Sequence, residues 1–220
     1  MIFDCDGVVA DSEVIALDLL RQTIERAGLA LSLDAVGAAF QGRSLSGVRA
    51  VLHERFGFEL APERFERMHT ELRTAFLQRL RPVAGMAAVV SAVACARCIA
   101  SSSGTERLAN TLALTRMASL FGAAVFSADA VAKGKPAPDL FLHAANMMGH
   151  ATERSVVIED SPAGIEAARA AGMRAIGFMG GAHAMGSRYR DSLRDVGAEV
   201  VAPDAPALRH ALQAIGVPLR

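Results

Sequence analysis

From Pro82 onward the chain alternates short apolar runs with helical segments, and this rhythm constrains its fold more than any other feature. An Ala/Val-rich helix after Pro82 leads to Cys98-Ile99-Ala100. A helix from about Thr105 leads to Ala123–Phe126, one after Pro138 to Ser155–Ile158, and one after Pro162 to Arg174–Phe178. A helix near Arg188–Val196 leads to Glu199–Val201, and a last one runs from about Pro206 to Ile215. Strands joined each time by a helix pair in parallel, because a parallel connection needs a crossover too long for a tight turn. The expectation is a parallel sheet with helices on both faces.

The start of the chain departs from this rhythm. Met1-Ile2-Phe3 reads as a strand, yet a central strand usually has about 5–6 residues. A few upstream residues are therefore expected to be missing, or the start codon misplaced. From Ser12 to about Pro82 the spacing is helical. Val14, Leu17, Leu20 and Ile24 recur on one face, with Ser12 as N-cap and Gly28 as the stop. Val48, Val51, Leu52 and Phe56 repeat the pattern before Gly57. Pro62 opens a third helix carrying Phe65, Met68, Leu72, Phe76 and Leu80. The fold class is then α/β: a Rossmann-like parallel sheet core, residues 1–12 and 83–220, with an inserted α-helical cap domain, residues 13–82. No internal repeat or low-complexity segment is visible.

Composition narrows the function. The chain has 220 residues, 52% of them apolar, enough for a sizeable core. Lys+Arg and Asp+Glu both number 23, so the broad basic field needed by a nucleic-acid or membrane binder is missing. A small anion remains compatible with net neutrality. Three cysteines point to free thiols in a reducing compartment. Cys95 and Cys98 form a C-x-x-C without a second ligand pair for zinc, so both are expected in the core. No signal peptide is expected, since the sequence opens on Met1-Ile2-Phe3-Asp4 without a basic stretch. The longest uncharged stretch, Pro82–Ala96, is shorter than the roughly 20 residues of a membrane helix and reads as a buried helix. A cytoplasmic protein is expected, a monomer or weak homodimer. Its partner is expected to be a small molecule, with no nucleic acid and no membrane.

Four segments carry chemistry, each leaving the carboxyl end of an expected strand, where open α/β sheets bind ligands. In Phe3-Asp4-Cys5-Asp6-Gly7, two carboxylates converge beside a glycine that lets the backbone turn near a ligand. In Ser101-Ser102-Ser103-Gly104, small hydroxyl residues ahead of a helix offer N–H and O–H groups to an anion, or simply cap the helix. Lys133-Gly134-Lys135-Pro136-Ala137-Pro138-Asp139 holds the only two lysines in a chain that otherwise uses arginine, on a proline-stiffened loop. A lysine suits phosphate as a compact point charge. In Ile158-Glu159-Asp160-Ser161-Pro162, a strand runs into two adjacent acids, which suits a hard cation such as Mg²⁺.

Together, FDCDGVVADSE, SSSGT, KGKPAPD and IEDSPAGIEAA resemble the haloacid dehalogenase superfamily, in its β-phosphoglucomutase-like phosphatase branch, across essentially the whole chain. The resemblance implies a Mg²⁺-dependent phosphatase acting on a small phosphorylated metabolite such as a sugar phosphate. Asp4 would be the nucleophile forming an aspartyl-phosphate, and Asp6 the general acid and base. Mg²⁺ would be held by Asp4, the Asp6 carbonyl and Asp160, with Glu159 as ligand or neighbour. Ser101, the Ser102 N–H and Lys135 would hold the phosphate, leaving Lys133 solvated. The cap would close over the site, with Gly42, Arg43 and Ser44 facing the substrate and Arg43 meeting a carboxylate or second phosphate. His183 would line the entrance. His53, His69, His143, His150 and His210 are expected to be structural.

Departures from the mutase favour hydrolysis: Ala16 stands where the mutase has His, Leu45 where it has Arg, and the cap has no lysine. A β-phosphoglucomutase-type mutase and a non-catalytic phosphometabolite binder remain alternatives. A receiver module does not fit, since it is about half this length and lacks the insert.

Overall fold

A computed structural model describes residues 1–41, 45–184 and 186–220. Gly42, Arg43 and Ser44 lie outside the described residues. The chain divides into two compact units, Met1–Asp11 with Arg81–Arg220, and Ser12–Leu80. In chain order, β1 (Ile2–Phe3) is followed by α1 (Glu13–Arg26), α2 (Leu33–Phe40), α3 (Leu45–Phe56) and α4 (Pro62–Arg79). Then come α5 (Met86–Ala92), β2 (Cys98–Ser101), α6 (Thr105–Leu114), α7 (Ala118–Phe121), β3 (Val125–Ser127) and α8 (Asp139–Met147). The chain ends with β4 (Val156–Glu159), α9 (Pro162–Ala170), β5 (Arg174–Phe178), α10 (Ser187–Asp195), β6 (Val200–Ala202) and α11 (Ala205–Ala214).

Among the described residues the larger unit is a six-stranded sheet in the order β3-β2-β1-β4-β5-β6, parallel throughout. Its central strands are buried on both faces, which is why they read as continuous apolar runs rather than alternating ones. Ile2, Cys98 and Val157 are neighbours in register and join the cluster with Leu140, Phe141, Ile165 and Leu193. The next residues in register, Phe3, Ile99 and Ile158, are equally buried and point to the opposite face. Phe3 there meets Phe121 edge-on at 5.9 Å. Strand β1 spans Ile2–Phe3, and beyond it the Asp4 N–H still donates to the Ile158 carbonyl at 3.0 Å.

The helices begin where local chemistry allows. Ser161 accepts from the Gly164 N–H with Pro162 in the first turn of α9, and Asp204 accepts from the Ala207 N–H with a proline in the first turn of α11. The smaller unit buries Leu17, Leu20 and Ile24 of α1 with Val36, Phe40, Leu52 and Phe65. Gly28 (φ +107°) follows α1 as expected, whereas Ser12 stands at the N-cap without a side-chain capping bond.

Three expectations need correction. Helix α2 was not foreseen, although Ser32 caps it by accepting from the Ala35 N–H. The uncharged stretch 82–96 is not one buried helix. Its helix spans Met86–Ala92 and exposes Ala87, Ala88 and Ser91, because only one face packs. Cys95 is half-buried in the bend after α5, while Cys98 is buried in β2 as expected. Burial pushes the Cys98 thiol up to about 11, consistent with an inert core residue at the end of β2 away from the four motifs.

Leu208 of α11 is completely buried. Leu208→Ala is expected to cost about 2–5 kcal/mol, read as a lower urea midpoint at unchanged slope.

Candidate active site

The sheet order makes its own crevice. The chain builds outward from β1 through β2 to β3, then returns to place β4 on the other side of β1. At such a switch point the segments leaving the two strands separate and open a cleft at their carboxyl ends. Asp4 leaves β1 there, Glu159 and Asp160 leave β4, and Ser101 ends the neighbouring β2.

Lys135 reaches into this cleft from the loop before α8. Its Nζ lies 2.6 Å from Asp4 Oδ1 and 2.7 Å from Glu159 Oε2, and 3.4 Å from the Ala100 carbonyl. The ring of Phe141 forms another wall, 4.9 Å from Nζ. All three charged side chains are almost fully buried. The other Glu159 oxygen accepts from the Ser161 hydroxyl at 2.7 Å and the Ser161 N–H at 3.2 Å. Glu159 thus joins Lys135 to the start of α9. Gly164 must lack a side chain here, since a Cβ would stand 2.0 Å from the Glu159 carboxyl carbon.

Asp6 lies one turn away in the loop closed by the Val9 and Ala10 N–H groups on the Cys5 carbonyl. Its carboxylate accepts from the Ser103 hydroxyl at 2.6 Å and from Arg107 at 3.0 Å. Gly7 makes the turn with φ +83°, and a Cβ there would stand 1.9 Å from Asp160 Oδ2. The Ser101 hydroxyl is buried and accepts from the Ser103 N–H at 3.1 Å, while Ser102 is exposed. Asp129 accepts from both the N–H and the hydroxyl of Thr105, holding the start of α6 in place.

The electrostatics are dominated by buried negative charge. Asp4, Glu159 and Asp160 each offer an oxygen within 4.8 Å of the others, and all three are buried. Burial pushes the Asp4 carboxyl well above its ordinary value, the carboxylates of Glu159, Asp160 and Asp6 push it the same way, and Lys135 opposes them. Burial alone would lower the Lys135 ammonium, but Asp4 and Glu159 more than reverse this and hold it above its ordinary range. Burial, reinforced by Asp6 and Asp4, also raises the Cys5 thiol and keeps it out of nucleophilic chemistry. Hard oxygen donors crowded with an excess of negative charge form a donor set suited to a divalent cation.

The haloacid dehalogenase-like hydrolase family matches residues 1–172. The chain belongs to that family. Within that family it is an enzyme of the phosphoric monoester hydrolase class. The hydrolase is 28% identical over 182 residues to 6-phosphogluconate phosphatase of Escherichia coli (strain K12), covering 82% of each chain. It is 33% identical over 181 residues to Fructose-1-phosphate phosphatase YqaB of the same organism, covering 80% of this chain and 94% of that one. A solved haloacid dehalogenase-like protein of unknown function from Agrobacterium tumefaciens superposes with a TM-score of 0.91 at 33% identity, covering 97% of both chains.

The structure of this hydrolase brings Asp4, Lys135, Glu159 and Asp160 together, sets Asp6 beside them and leaves Lys133 exposed. Sequence reasoning missed Ser103 and Arg107 as partners of Asp6. The signal lay in the same serine run and one helical turn beyond it. It also misjudged His183, whose side chain is fully buried with Nε2 2.7 Å from Asp160 Oδ2 rather than lining an entrance.

With Asp4 raised, the folded protein keeps its proton at pH values where the unfolded chain has already lost it. Its contribution to stability is therefore present at low pH and lost as pH rises through the raised value. Asp4→Asn is expected to raise the melting temperature of metal-free protein at pH 8, with the gain shrinking toward pH 5. A scan across that range by calorimetry checks it.

Proposed function

We propose that this hydrolase is a Mg²⁺-dependent phosphatase that cleaves a small sugar phosphate through an aspartyl-phosphate. The observation that carries the reading is Lys135, buried between Asp4 and Glu159 beside Asp160, with Asp6 held next to them by Ser103 and Arg107. A lone ammonium among crowded carboxylates suits a dianionic phosphoryl group arriving with a metal ion.

Asp4 would attack phosphorus, forming a P–O bond to its carboxylate as the ester P–O bond breaks. Asp6 would give its proton to the departing alkoxide. In the second half Asp6, now a carboxylate, would take a proton from water as the water oxygen attacks phosphorus, and Asp4 is released. Lys135, Ser101 and the Ser102 N–H would hold the non-bridging oxygens. Asp4, Asp160 and the Asp6 carbonyl would hold Mg²⁺, which screens the charge between nucleophile and phosphate. Glu159, engaged by Lys135 and Ser161, would keep the lysine aimed. The names of the Escherichia coli relatives, phosphatases of 6-phosphogluconate and fructose 1-phosphate, support a phosphorylated sugar or sugar acid as substrate.

Phosphate release from a panel of phosphorylated metabolites tests the reading. Turnover is expected to stop in EDTA and return with Mg²⁺. Asp4→Asn is expected to lower it by at least about 1,000-fold, and Asp6→Asn by about 100- to 10,000-fold. Undiminished turnover in EDTA, or a protein or nucleic acid as best substrate, would overturn it.

A further inference from the structure

His183 has no part in the chemistry above, yet its side chain is enclosed beside one of the acids of the site. Its imidazole is fully buried, with Nε2 2.7 Å from Asp160 Oδ2. The ring of Tyr189 meets it edge-on, with centroids 6.1 Å apart. The Tyr189 hydroxyl in turn donates to the main-chain carbonyl of Asp160. Asp160 is thus met at two points from the segment that follows β5: His183 Nε2 lies against its carboxylate, and the Tyr189 hydroxyl bonds its backbone carbonyl.

This arrangement is itself braced. Asp11 Oδ1 accepts from the Ala182 N–H at 2.9 Å and ties the His183 loop to the loop leaving β1. Two glycines let these loops close on Asp160. A Cβ on Gly7 would stand 2.7 Å from His183 Cε1, as well as against Asp160. A Cβ on Gly181 would stand 2.7 Å from both His183 Cε1 and the Gly7 carbonyl. His183 does not join the group of oxygens from Asp4, Glu159 and Asp160 that lie within 4.8 Å of one another. Its contact is with one of those acids, through a fully buried imidazole.

We propose that His183 is a positioning residue for the metal. It holds the Asp160 carboxylate in the orientation that receives the divalent cation, while Tyr189 fixes the backbone from which that carboxylate projects. Partners of this kind set the orientation of metal-binding side chains, and losing one typically weakens metal affinity about 10–100-fold. The inference rests on the metal role given to Asp160 above.

Calorimetric titration of Mg²⁺ and Mn²⁺ into metal-free protein tests it independently of turnover. His183→Ala is expected to raise the dissociation constant about 10–100-fold. His183→Gln, whose amide N–H can reach the place of Nε2, is expected to recover most of that loss, which a side chain that only fills space would not predict. Tyr189→Phe keeps the ring and removes the hydroxyl. It is expected to weaken binding as well, and it serves as the test should His183→Ala fail to fold. Equal metal affinity in wild type and the folded variants would overturn the role of His183 while leaving the phosphatase reading intact. A wild-type protein that takes up neither cation would overturn both.

Discussion

One buried ammonium ties together the acids at the carboxyl edge of the sheet. Lys135 lies within 2.7 Å of both Asp4 and Glu159, with Asp160 close by. Charges this deeply buried persist only when each has a partner, and here the acids outnumber the base. Burial, reinforced by the neighbouring carboxylates, pushes the Asp4 carboxyl upward, and the excess of negative charge suits the site to further positive charge. A binding site of this kind exists because the fold holds together charges that would separate in water.

The sheet supplies the force that holds them. Apolar runs in β1, β2 and β4 are buried on both faces and pair in strict register, so the residues that follow them emerge side by side. Polar partners then meet each acid: Ser161 at Glu159, Ser103 and Arg107 at Asp6, His183 at the Asp160 carboxylate and Tyr189 at the Asp160 backbone. Glycines stand where a Cβ would collide with these acids, at Gly7 and Gly164. Packing energy from the sheet thus offsets the cost of crowding like charges at its edge.

Much of this was legible in the sequence, for identifiable reasons. Strand–helix alternation is a local pattern, and β5 occupies Arg174–Phe178 as read from it. Motifs that follow strands must gather at one edge of a parallel sheet, so Asp4, Lys135, Glu159 and Asp160 could be grouped before any contact was seen. Short elements were less visible. Helix α2, with eight residues, and α7, with four, are too brief for helical periodicity to stand out. Cys95 read as a core residue because it continues an alanine-rich run, but the helix stops before it.

By itself the sequence determined the parallel α/β core, the helical insert and the identity of the charged groups at the strand ends, because these follow from periodicity and order along the chain. Only the tertiary structure decided how those groups are shared. Glu159 turns to Lys135 and Ser161, Arg107 reaches Asp6 from 101 residues away, and His183 closes on Asp160 instead of facing an entrance. The physical reason is that a side chain's partner depends on distance and desolvation in three dimensions, and residue type and local pattern record neither.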